Sequence, residues 1–135
     1  MVKVGLVLGI GVDIVKKSRF EHLLKDKSSS FAARLGKRIL HPKHEHPRFQ
    51  TMKPERQVEY MTGAWAAKEA LFKTLNPTEQ SVFNFNDWYR YHDSQGKPFV
   101  WNDDLEMSDE KFHLSISHDG SFVIATVLRQ KTYNL

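Results

Sequence analysis

The sequence predicts a single α+β domain in which one long helix packs against a small antiparallel sheet. Three observations carry this. A run dense in strong helix formers, with proline only in its first turn, predicts a helix over 54–75, ended by Asn76-Pro77. Val2 to Ile14 reads as a buried strand rich in Val, Ile and Leu. Near the C-terminus, two alternating segments surround turn signals, Asp93-Ser94-Gln95-Gly96 and Asp119-Gly120, and each reads as a hairpin.

In the first strand, Gly9 and Gly11 allow a bulge or the close approach of another backbone, and Asp13 is the one acid. The third glycine of a dinucleotide fingerprint is missing after Gly9-Ile10-Gly11. Ser18 followed by Glu21 has the form of a capping box and predicts a short helix through Phe20, Leu23 and Leu24. Ser28-Ser29-Ser30 caps a second helix, Phe31 to Leu40. The run from His41 to Pro47 holds three histidines. Its prolines favour an extended loop over a zinc site, since no helical His spacing accompanies them. After the long helix come a strand over Phe83 to His92 and its return over Lys97 to Trp101. An acidic connector spans Asn102 to Lys111, and strands follow over Phe112 to His118 and Ser121 to Leu128.

At 135 residues, 40% hydrophobic and 12% aromatic, the chain has material for one core. The absence of cysteine excludes disulfides, thiolate metal sites and a cysteine nucleophile, and fits a reducing compartment. A net charge of +4 favours an acidic or phosphorylated partner. The longest apolar run is broken by glycines and stops at Asp13, too short for a membrane span, and no secretory cleavage site follows it. Neither a membrane nor a nucleic-acid partner is expected, since no nucleic-acid motif is present.

On the long helix, Glu59, Thr62, Ala66, Glu69 and Lys73 form a stripe apart from the apolar positions. Glu69 and Lys73 stand one turn apart there. Such a pair is either a surface contact worth a few tenths of a kcal/mol or part of a site, with Glu69 on a hard cation and Lys73 on phosphate. Magnesium commonly takes one or two carboxylates plus substrate phosphates, so a second acid is required. Asp13, inside an apolar strand, is the natural one; the alternative is a turn or cap acid. Lys16, Lys17 and Arg19 lie at a helix start, where cations oppose the dipole, so an acidic partner explains them better than helix stability. Arg48, Lys53 and Arg56 extend a basic approach to the long helix. His113, Ser115 and Ser117 share one face of their strand, either a site lining or the wet side of a sheet.

Taken jointly, Gly11-Val12-Asp13-Ile14 with Arg19-Phe20, Trp65-Ala66-Ala67-Lys68-Glu69-Ala70 with Lys73, Gly96-Lys97-Pro98, and His113 to Asp119 resemble the 4′-phosphopantetheinyl transferases of the short holo-acyl-carrier-protein synthase type. The resemblance spans nearly the whole chain. The segments around Trp65 and His118 look most like those of fungal members. The resemblance implies that phosphopantetheine passes from coenzyme A to a serine of an acyl carrier protein, releasing 3′,5′-ADP. It further implies Mg2+ on Asp13 and Glu69 with help from Glu59. Lys73 is then a catalytic cation at the pyrophosphate, and Lys68 a phosphate-side or supporting one. Arg56, His113 and Ser117 bind the 3′-phosphate and adenine end of coenzyme A, while Arg19, beside Lys16, docks the carrier. A homotrimer with sites between subunits is implied, as is a mitochondrial or cytoplasmic location, the former preferred.

Three departures from the pattern stand out. Ala64 replaces an arginine common in bacterial members, Asn76-Pro77 replaces a glycine, and an expected glutamate falls at His44 or Glu45. The first leaves a phosphate contact unfilled, for which Lys53 and Arg48 are the candidates. Two other readings compete: a non-catalytic relative that binds coenzyme A, and a basic interaction module.

Overall fold

In a computed structural model describing residues 2–105 and 109–135, the chain runs β1 (Lys3–Lys16), α1 (Lys17–Glu21), α2 (Ser29–Ile39), α3 (His46–Gln50), α4 (Pro54–Phe72), α5 (Pro77–Ser81), β2 (Tyr89–His92), β3 (Pro98–Trp101), β4 (Glu110–Asp119) and β5 (Phe122–Asn134). The five strands form one antiparallel sheet in the order β1-β5-β4-β3-β2. The predicted α+β architecture holds. Part of the 102–111 connector lies outside the described residues.

Helix α4 lies across the inner face of the sheet, against β1 and β5. Met61 to Ala64, Ala66 to Lys68, Ala70 and Leu71 are all buried, so almost every face of α4 meets protein. Small residues permit this. A Cβ on Gly11 would collide with the carbonyl oxygen of Ala70, and one on Gly9 would come within 2.9 Å of the Thr74 carbonyl. Glycine therefore sets the distance between strand and helix. The bulge expected in this strand falls between Val7 and Gly9.

Several boundaries differ from the sequence reading. The long helix ends at Phe72, with Lys73 as its C-cap and a turn through Leu75. The Ser18–Glu21 capping box does not form; Lys16 occupies the N-cap, and a single π-helical turn, His22–Asp26, continues the chain. A capping box forms instead at Asn76-Pro77, which the sequence marks only as a stop signal: Asn76 and Glu79 satisfy each other's backbone and start α5. The strand expected from Phe83 shortens to Tyr89–His92, preceded by a 3-10 turn at Phe85–Asp87. Ser28 does cap α2, accepting from the Phe31 amide. Gly96 and Gly120 take positive φ at the hairpin turns, +82° and +58°.

The largest correction concerns β1. The sequence predicts a buried strand, yet β1 is a sheet edge with one face open to solvent. Ile10, Val12 and Ile14 are 66%, 54% and 59% exposed. They share that outer face with their β5 partners Leu128, Thr126 and Ile124. Only the alternate residues Gly11, Asp13 and Val15 turn toward α4.

Candidate active site

Asp13 and Glu69 meet where β1 crosses the C-terminal half of α4. Asp13 is mostly covered and lies 3.6 Å from the ammonium of Lys73, which also donates to the Val12 carbonyl at 2.7 Å. Glu69 is half-buried, and its carboxyl is pushed up, first by burial and then by the charge of Asp13, with Lys73 and Arg19 opposing. Two carboxylates are thus held near enough to repel, with one ammonium alongside. A hard divalent cation bound between them would relieve that repulsion, so the donor set fits such an ion.

Glu59, ten residues before Glu69 on the same helix, is occupied differently. Its carboxylate faces Arg56 at 3.3 Å and Lys17 at 3.9 Å, both in exposed pairs. Thr62 and Ala66, between the two acids on the stripe, are buried, so only the ends of the stripe reach solvent. Arg19 is exposed, its guanidinium 5.0 Å from the Trp65 ring and 5.7 Å from Phe20. Trp65 in turn stacks on Phe85 at 4.7 Å, giving Arg19 a rigid aromatic floor. Lys16 lies over Phe122 at the rim of the outer face.

His113 and Ser117 are not brought to this pair within one chain. They sit on the outer face of the sheet, opposite α4, with His113 hydrogen-bonded to Gln130 at 2.7 Å and Ser117 exposed. Lys68 departs further from expectation. It is completely buried, and its ammonium donates to the Ile39 carbonyl and to Glu45 Oε1, both at 2.6 Å. A side chain so enclosed cannot touch a phosphate. Its turn of the helix faces inward, a quarter turn from Glu69, and burial lowers its pKa to about 8 against the pull of Glu45.

Glu45 and Arg90 are the residues that the sequence reading missed in this role. Burial pushes the Glu45 carboxyl up, but Lys68 and Arg90 together outweigh it and hold it below its ordinary value. Glu45 also accepts from the backbone amides of His41 and Arg90. An arginine among the aromatic residues Trp88, Tyr89 and Tyr91 was the available signal.

The histidine run is a tight turn leading into α3, not an extended loop. His41, His44 and Asp103 offer ligand atoms within 4.8 Å of one another. However, His41 Nδ1 accepts from the amides of Lys43 and His44, each at 3.1 Å, which places its proton on Nε2. The free nitrogen therefore presents N–H in place of a lone pair. Asp103 is meanwhile engaged by His44 and by the Tyr89 hydroxyl, each at 2.7 Å. This is a hydrogen-bonded cluster that does not suit zinc.

Residues 9–127 match the model of the family described as the 4′-phosphopantetheinyl transferase superfamily. The chain belongs to that superfamily. It is 33% identical over 126 residues to a holo-[acyl-carrier-protein] synthase of Anoxybacillus flavithermus, covering 93% of this chain and 98% of the relative. Its fold is similar to the crystal structure of holo-ACP-synthase from Plasmodium yoelii, with a TM-score of 0.75, 27% identity, and 97% and 99% of the two chains covered. A holo-(acyl-carrier-protein) synthase from Bacillus anthracis, solved in complex with CoA (3′,5′-ADP), gives a TM-score of 0.71 at 28% identity, covering 93% of this chain and 97% of its own. Within the superfamily, this transferase is thus of the holo-[acyl-carrier-protein] synthase type.

Proposed function

We propose that this chain transfers 4′-phosphopantetheine from coenzyme A to a serine of an apo acyl carrier protein, with Asp13 and Glu69 holding Mg2+. The observation that carries the reading is the half-buried carboxylate pair with Lys73 beside it, held on a strand and helix in backbone contact. The serine oxygen forms a bond to the β-phosphorus, the bond from that phosphorus to the bridging oxygen breaks, and 3′,5′-ADP leaves with the electron pair. The cation, when bound, supplies charge neutralisation at the pyrophosphate, the help that phosphoryl transfer chiefly needs. Lys73, as an ammonium, adds positive charge there and stabilises the serine oxygen as its proton passes to water. Glu59 supports the cation through water, and Arg56 stands at the coenzyme's phosphate side. Arg19 and Lys16 receive the acidic carrier.

The working form in this reading is a homotrimer. Its support is the exposed apolar outer face of β1 and β5, continued on β4 by His113 and Ser117, which thus point away from their own chain's acids and suit delivery to a neighbour's. A mitochondrial location is preferred to a cytoplasmic one, on the likeness of the Trp65 and His118 segments to fungal members. The function is tested by measuring 3′,5′-ADP released against carrier modified. Equimolar appearance is expected; coenzyme A binding with no release would leave only a non-catalytic relative.

A further inference from the structure

A cleft of about 840 Å³ opens beside the N-terminal half of α4, lined by Arg56, Glu59 and Gly63 of the helix, by Tyr89 to His92 of β2 and by the β4–β5 turn. Lys17, Arg48, Arg56 and Arg90 line it against one carboxylate, Glu59. Of these cations Arg90 alone is built into the wall. Its side chain is 15% exposed; Nη2 donates to the Tyr60 carbonyl at 3.2 Å, and the guanidinium lies 4.5 Å from the Tyr60 ring. Gly63 makes room for it, since a Cβ there would stand 2.8 Å from Nη1.

The charge balance behind this wall is uneven. Glu45 faces two cations, with Lys68 at 2.6 Å from Oε1 and Arg90 Nε at 3.6 Å from Oε2. No other carboxylate among the described residues lies within ion-pair distance of either. One unit of positive charge is therefore uncompensated at the cleft wall, and a half-buried charge of that kind is costly without an anion. Lys68, the shorter contact, is enclosed, so the excess is presented to the cleft by Arg90. Tyr89, Tyr91 and His44 supply flat ring surfaces in the same cleft, a combination of fixed cation and aromatic wall that suits a phosphorylated nucleoside.

We infer that Arg90 binds the 3′-phosphate of the coenzyme A donor, held in place by the buried Lys68–Glu45 pair as its positioning device. The inference rests on the transferase reading above. Coenzyme A carries a phosphomonoester apart from its pyrophosphate. Gly63, against which Arg90 packs, precedes Glu69 by six residues, about 9 Å along the helix axis, so one phosphate cannot occupy both places. The arginine missing at position 64 is then replaced from β2, in place of Lys53 or Arg48.

The test uses binding as well as turnover. Titration calorimetry with adenosine 3′,5′-bisphosphate and with 5′-AMP gives the preference for the 3′-phosphate, and transfer from coenzyme A and dephospho-coenzyme A gives the same preference in kcat/KM. Arg90→Met is expected to reduce both preferences at least tenfold by weakening only the 3′-phosphorylated ligands. Arg90→Lys, which keeps the charge opposite Glu45, is expected to fall between and covers the case in which Arg90→Met does not fold. Unchanged preferences in a folded variant, equal loss for both members of each pair, an effect confined to KM for the carrier, or a wild-type chain without preference would overturn the inference. Failure of the transferase reading looks different: binding preference persists with no transfer from either donor.

Discussion

The Lys73 ammonium stands 3.6 Å from Asp13 while donating to the carbonyl of the preceding residue, Val12, so one lysine clasps strand β1 to the end of helix α4. The charged group that serves the reaction in our reading is also a structural link between the two elements that carry the acids. Lys73→Met should therefore lower kcat and loosen the junction at once. Lys73→Arg should restore the clasp better than the rate, read as a Tm near wild type with kcat still depressed.

Gly11 is the second constraint on that junction. Gly11→Ala pushes a methyl group into the Ala70 carbonyl, and neither backbone can yield without moving Asp13 relative to Glu69. Overpacking of this kind costs about 1–3 kcal/mol. Urea denaturation should show that loss, and transfer activity should fall by more than the unfolded fraction explains. Normal activity in the folded variant would mean that the spacing is not critical.

Removal of either acid is expected to separate function from stability. Glu69→Gln and Asp13→Asn each remove one side of a repulsive pair, so thermal stability should hold or rise in the metal-free chain. Transfer should drop by about a hundredfold or more, the loss typical of deleting one preorganised electrostatic partner.

Lys68 makes a prediction in pH. Its pKa falls from 10.5 to about 8 because burial disfavours the ammonium. Below pH 8 both folded and unfolded chains carry the proton, and the buried charge works against the fold. Between about pH 8 and 10.5 the unfolded chain binds more protons, so this group makes stability rise with pH. Glu45 acts at the other end: its carboxyl is held below 4.5, so its contribution is present above that value and lost as pH falls through the lowered pKa. Lys68→Met should abolish the alkaline rise, and because Arg90 stays opposite Glu45 its cost at neutral pH should fall below the roughly 3–5 kcal/mol of a buried carboxylate left wholly unpaired. An unchanged alkaline slope would contradict the assignment.

Arg19 owes its position to Trp65. A cation over an exposed ring is worth about 0.5–1 kcal/mol, so Trp65→Leu should raise KM for the carrier roughly two- to fivefold and leave KM for coenzyme A unchanged. Trp65→Phe should recover most of the loss.

These residues also show what a sequence can and cannot disclose. The core of α4 was legible because nine of its ten buried residues are small or apolar, and the hairpin turns because Asp93 to Gly96 and Asp119-Gly120 meet specific backbone needs. Asp13 and Glu69 were findable as costly acids in apolar settings. The exposure of β1 was not, since Val, Ile and Leu in alternation look alike whether covered by their own chain or left for another. Nor was the burial of Lys68, whose partner Glu45 lies 23 residues away in a turn whose prolines suggested an extended loop. Long-range ion pairs leave no periodic trace.

The most direct test of the account is intact-mass spectrometry of an apo acyl carrier protein incubated with this chain, coenzyme A and magnesium, beside one sample containing EDTA and one with Asp13→Asn. The account predicts a gain of one phosphopantetheine in the first sample only. An equal gain with EDTA would contradict the metal role of Asp13 and Glu69, and no gain across several carrier proteins would contradict the transferase itself.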